Sequence, residues 1–173
     1  MGAEGIKELL LFIASKPGGD VLSDAKYALA LCHIGAKQPD PAIVVLKELH
    51  AAQPAYAYDD KVLYELAHTQ LVKMLAAEAT ATFKLLAQTH KESSLAAESW
   101  FHVGQFHSGV AAETKQPATQ TAQWKAADQA YTAGLASKPS PELHEKLFYK
   151  LADARFQMKD YAEANKILQQ QIS

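Results

Sequence analysis

A step of 37 residues carries Leu9 to Leu46 and on to Phe83; after a single offset of 11, the same step carries Tyr131 to Leu168. Other columns obey the same rule with the same offset. Tyr27, Tyr64, Phe101 and Tyr149 form one, and Leu29, Leu66, Val103 and Leu151 another, followed at once by Ala30, Ala67, Gly104 and Ala152. Ala42, Ala79, Ala127 and Ala164 form a fourth; Pro17, Pro54 and Pro139 a fifth, in which the remaining copy has Lys91. Several columns sharing one offset mark an internal repeat. A unit this short cannot bury an apolar face alone, so neighbouring copies must stack.

Each column has a physical reason. Large apolar positions three or four apart put a stripe on one face of a helix. The small columns let paired helices approach closely, and proline after the second helix of a pair stops it. This spacing predicts a lone helix over about 3–15, then four pairs: 22–36 with 40–52, 59–73 with 76–89, 94–110 with 119–137, and 141–158 with 160–172. The first helix of each pair is A and the second B. No stretch alternates with a period of two, so the expected class is all-α.

The rest of the chain narrows the function. Its 173 residues carry a formal charge of -2 with acids and bases interspersed, so no face for nucleic acid is announced. Ala, Leu, Lys, Gln and Glu, the strong helix formers, dominate, and mean hydropathy is only -0.16. No apolar run approaches the roughly 18–20 residues that cross a bilayer; the longest is Leu9 to Ala14. Cys32 is the single cysteine, which excludes an intrachain disulfide and suits a small buried filler. Gly18-Gly19 lacks the Gly-Lys-Ser/Thr that completes a phosphate loop and reads as a turn. His102 and His107 stand five apart, about 500° of helical rotation, and point to different sides. Glu98 and His102, four apart, suit a surface hydrogen bond, and His33 and His107 share a repeat column, which suggests a structural slot. With no metal-ligand spacing and no nucleophile–base set, no cofactor, metal or catalysis of its own is expected.

The copy Phe148…Leu151-Ala152…Asp160-Tyr161…Ala164…Leu168 resembles a tetratricopeptide repeat (TPR), and Trp100, Val103-Gly104, Trp124, Ala127, Tyr131 and Pro139 fit the same pattern with an insertion. The 37-residue step differs from the family's usual length of about 34. Lys159 stands where glycine is common, and Arg155 where helix A carries an aromatic or leucine. Residues 77–107 are similar to repeats of bacterial outer-membrane assembly lipoproteins and of the periplasmic Tol–Pal coordinator. The resemblance implies one domain over 1–173, a right-handed superhelical solenoid of antiparallel pairs, with repeats at about 22–54, 59–91, 94–139 and 141–173. A chain that opens and closes on B helices reads as a piece of a longer protein. The implied function is a non-catalytic scaffold holding a peptide or helix of a partner protein, in the bacterial periplasm or at the outer membrane. Cytoplasmic residence and an accessory domain of a peptidoglycan-cleaving enzyme are the alternatives.

By the same resemblance, the concave side takes Tyr27, Leu31, Tyr64, His68, Phe101, Gln105, Tyr149 and Asp153, with Asp24, Lys61, Glu98 and Lys146 beside them. These are the expected partner-binding residues; the competing reading packs the four aromatic side chains inside. Ile6, Leu10 and Ile13 at one end, and Leu168 and Ile172 at the other, are expected to form apolar patches that favour end-to-end association. In the third copy the sequence predicts a helix A ending near Gly109, a mobile polar tip around 114–119 and a helix B restarting near Thr119.

Overall fold

A computed structural model of the chain describes residues 2–52 and 55–170; Pro54 and Ile172 lie outside the described residues. Among these residues the elements are all helices: α1 (Gly2–Ala14), α2 (Gly19–Gly35), α3 (Pro39–Ala52), α4 (Asp59–Val72), α5 (Ala76–Thr89), α6 (Ala96–Glu113), α7 (Pro117–Ala136), α8 (Pro141–Gln157) and α9 (Tyr161–Gln170). None is long and apolar enough to cross a membrane. The chain divides into two compact units, Met1–Thr82 and Phe83–Ser173, so α5 contributes to both.

Within the first unit α1 packs on α2, α2 on α3 and α3 on α4. Short links make each of these neighbours antiparallel. The core draws Ala30 from α2, Leu46 and Leu49 from α3, and Val62 and Leu66 from α4. In the second unit α6 packs on α7, α7 on α8 and α8 on α9, and α6 also touches α8. Its core contains Ala111, Trp124, Ala127, Tyr131, Leu147, Leu151 and Ile167. The repeat columns are the reason. Leu29, Leu66, Val103 and Leu151 are all buried, as are Ala30, Ala67, Gly104 and Ala152, and Ala42, Ala79, Ala127 and Ala164. The Leu9 column is buried at Leu46, Phe83 and Tyr131; at the chain ends Leu9 is half-buried, and Leu168 is 41% exposed while Ile167 turns inward. Cys32 is half-buried rather than enclosed.

Every A-to-B link is three residues long: 36–38, 73–75, 114–116 and 158–160. In three of them the middle residue takes positive φ: Lys37 at 57°, Met74 at 60° and Lys159 at 65°. The hydrogen bonds repeat too. Lys37 N donates to Ile34 O and Gln38 N to His33 O; Met74 N to Leu71 O and Leu75 N to Gln70 O; Lys159 N to Phe156 O and Asp160 N to Arg155 O. This paired pattern caps the last carbonyls of a helix, and glycine is the usual residue in it. Lys159 therefore fills the glycine place of the turn without changing its geometry.

The insertion differs from expectation. It forms no polar tip: α6 continues to Glu113, α7 starts at Pro117, and only Thr114-Lys115-Gln116 links them. The extra residues lengthen both helices, to 18 and 20 residues. Gly109 is tolerated inside α6 because a mid-helix glycine costs only about 1 kcal/mol, and the next turn buries Ala111. Pro117 sits at the first turn of α7, where its missing N–H is harmless. Gln120 Nε2 donates to Ala111 O at 3.1 Å and ties the two helices together.

Candidate partner-binding surfaces

In the first unit the structure brings four expected residues together. Asp24, Tyr27 and Leu31 on α2 and Lys61 on α4 line a depression of about 210 Å³ with Tyr56 and Tyr58. Helical spacing aligns the α2 residues on one face. Tyr56 OH donates to Asp24 Oδ1 at 2.5 Å, Tyr58 meets Tyr56 edge-on with ring centres 5.6 Å apart, and Lys61 Nζ lies 4.6 Å from the centre of the Tyr58 ring. Burial, reinforced by Asp24, pushes the Tyr56 phenol well above its usual range. Tyr27 is half-buried, and burial, then the carboxylates of Glu65 and Asp60, raise its phenol as well.

One turn along α2 a larger cavity opens, about 560 Å³, bounded by Ile34 and by Glu65, His68, Leu71 and Val72 of α4, with Lys37 and Pro39 at its rim. His68 belongs to this second cavity, and its ring lies 4.4 Å from that of half-buried Tyr64. The repeat columns missed Tyr56 and Tyr58, which sit in the link before α4, and Glu65 and Val72. The run Lys61, Glu65, His68, Val72, spaced by four, three and four, was the signal available for the latter two.

In the second unit the expected residues are more dispersed. Glu98 on α6 lies 3.9 Å from His102 Nε2, one turn on. The His102 ring stacks on Phe83 at 4.5 Å. Lys146 on α8 bonds Glu142 at 2.6 Å, and its proton is held more tightly because of Glu142 first and Glu98 in lesser part, so Glu98 and Lys146 share a field. Phe101 leans on the core, 6.2 Å from Tyr131. Gln105 is exposed, Asp153 accepts from Gln157 at 3.3 Å, and Tyr149 stands out into solvent, 62% exposed. Of the four aromatic side chains in the column, then, none is fully packed away; Tyr27 and Phe101 lean on the cores of their respective units.

The shared slot of His33 and His107 is structural. His33 Nδ1 donates to Gln38 Oε1 at 2.8 Å, and His107 Nδ1 to Gln123 Oε1 at 2.6 Å. Among the described residues no group of three or more His, Cys, Asp or Glu side chains is gathered as a metal site.

Antiparallel A/B pairs, three-residue hairpins and a repeated large–small register define an all-α helical-repeat fold of the TPR-like solenoid class. Solved structures share it. A Podosopora anserina protein described as a putative kinesin light chain, with nearly identical TPR-like repeats, superposes with a TM-score of 0.63 at 15% identity, covering 98% of this chain and 84% of its own. A single-substitution variant of that protein gives the same values. MamA MSR-1 C2 superposes with a TM-score of 0.55 at 14% identity, covering 98% and 95%. No family model matches the chain. No curated protein matches it either.

Proposed function

We propose that the chain is a non-catalytic protein-interaction scaffold that holds a peptide or helix of a partner protein against its A helices, in the assembly of a bacterial cell envelope. The observation that carries this reading is the accessibility of the repeated aromatic column. Tyr27 and Tyr64 are half-buried on α2 and α4, and Tyr149 is largely exposed on α8, while the neighbouring column Leu29, Leu66 and Leu151 is buried. A half-exposed tyrosine beside charged neighbours offers apolar contact area and a hydroxyl at low entropic cost, which suits polypeptide recognition. The twelve expected positions, from Asp24 to Asp153, form the binding surface in their respective units. The TPR-like fold supports a scaffold role, and the likeness of residues 77–107 to envelope repeats supports the compartment. Copies also associate end to end through α1 and α9, where Leu10 and Leu168 are exposed.

The test is site-specific photo-cross-linking. A photoreactive residue at Tyr27, Tyr64 or Tyr149 is expected to capture one and the same protein in bacterial cells. At Glu48 of α3 or Lys125 of α7, both exposed on B helices, it is expected to capture none. Equal capture at B-helix positions, or none at the tyrosines, contradicts the reading.

A further inference from the structure

The two hollows of the first unit follow one another along α2 and α4. Leu31 lines the smaller and Ile34, one turn later on α2, the larger; Lys61 lines the smaller and Glu65, one turn later on α4, the larger. From Asp24 to Ile34 the α2 wall runs about 15 Å at 1.5 Å per residue. A small molecule would fill one hollow; a polypeptide segment of about three helical turns spans both.

The walls also state what that segment carries. The larger hollow, about 560 Å³, falls within the range of roughly 300–1,000 Å³ that seats a group bigger than one side chain. Ile34, Leu71 and Val72 make its walls apolar, and Val72 is 75% exposed at its mouth. Glu65 stands in this wall half-buried, and its carboxylate makes no ion pair among the described residues. Lys73, one residue past α4, is occupied by Asp40 at 2.9 Å, Lys61 lies over Tyr58, and Lys37, at the rim of the same hollow, makes no ion pair with Glu65, so none of these three cations is committed to it. A half-buried carboxylate beside an apolar hollow favours an incoming cation over an incoming anion, because like charge is repelled where water is scarce.

Resting on the scaffold reading, we infer that the pair of hollows along α2 and α4 takes an amphipathic segment of a partner protein that places two bulky apolar side chains in the larger hollow and a Lys or Arg against Glu65. The apolar anchors supply affinity; the cation sets orientation and excludes acidic segments.

The probe is a fluorescein-labelled helical peptide of about twelve residues, with leucines one turn apart and lysine on the flank, beside a twin with glutamate in place of lysine. By anisotropy the wild-type chain is expected to bind the lysine peptide at least about tenfold more tightly, a difference of about 1.4 kcal/mol. Glu65→Lys is expected to reverse the order and Glu65→Gln to flatten it. Val72→Asp, at a largely exposed position compatible with folding, is expected to abolish binding of both peptides. Equal binding of the two by the wild type, or an order unmoved by Glu65→Lys, overturns the assignment. If neither peptide binds while photo-cross-links from Tyr27 and Tyr64 still capture a protein, this assignment falls and the scaffold reading stands. If those cross-links are absent too, both fall.

Discussion

One position per copy shows how a residue choice propagates. His33, Gln70, His107 and Arg155 are related by the same step and offset, and each reaches out of helix A to a polar partner. His33 and His107 donate to Gln38 and Gln123; Gln70 Oε1 accepts from Thr82 Oγ1 at 2.8 Å. Arg155 makes a two-pronged pair with Asp128 of α7. Arginine in place of an aromatic is thus a polar clasp in a column that is polar throughout. Gly104 has the opposite demand. A Cβ there would stand 2.3 Å from Cε1 of the fully buried Tyr131, far inside contact distance. Gly104→Ala is expected to cost about 1–3 kcal/mol despite alanine's higher helix propensity, read as a lowered midpoint in urea; an unchanged or raised midpoint would show that Tyr131 can move aside. Tyr56 adds a pH dependence. Its phenol is raised in the folded chain, so the folded state holds that proton more tightly than the unfolded one. The stabilisation is complete below the ordinary phenol value near 10 and is lost as pH rises beyond it. Tyr56→Phe is expected to weaken the alkaline decline in thermal stability; a decline unchanged in the variant would assign it to Tyr27 or Tyr131, which are also raised.

At the scale of elements, the helix boundaries were largely legible because periodicity, prolines and repeat register all agree. Pro39, Pro117 and Pro141 each open a helix, and Ser140 Oγ accepts from Leu143 N to cap α8. The insertion was misread because Ser108-Gly109 and Gln116-Pro117 look like breaks when judged locally. Packing decided otherwise: the eleven extra residues are close to three helical turns, so they extend both helices and keep Ala111 and Trp124 facing the core. Deleting residues 109–119 is accordingly expected to destabilise the second unit by about 1–3 kcal/mol without disrupting the first. Wild-type stability in the deletion would restore the loop reading. The hairpin turns offer the reverse experiment. Met74 is 91% exposed and held at a φ of 60°, where its side chain contributes strain and little packing. Met74→Gly is expected to stabilise by about 1 kcal/mol, visible as a higher thermal midpoint; a lower one would mean that the entropy of the more flexible unfolded chain outweighs the relieved strain.

For the whole molecule, the repeat columns are what the copies share, and specificity lies in what they do not. The aromatic column Tyr27, Tyr64, Phe101 and Tyr149 was visible because it recurs. Glu65 was not, because the same position holds Ala28, His102 and Lys150 in the other copies. Tyr56 and Tyr58 were missed for a related reason, since they lie in a B-to-A link that has no fixed pattern. The shared columns thus carry the stacking, while the variable positions beside them give each surface its own charge. The most direct test of the central claim, that partner proteins are held by the A helices, is backbone hydrogen exchange on the intact chain with and without the protein captured by photo-cross-linking. Slowed exchange is expected in α2 and α4, and in α8 around Tyr149, with α3 and α7 unchanged. Slowing confined to α3 or α7, or no slowing in any helix, would contradict the claim.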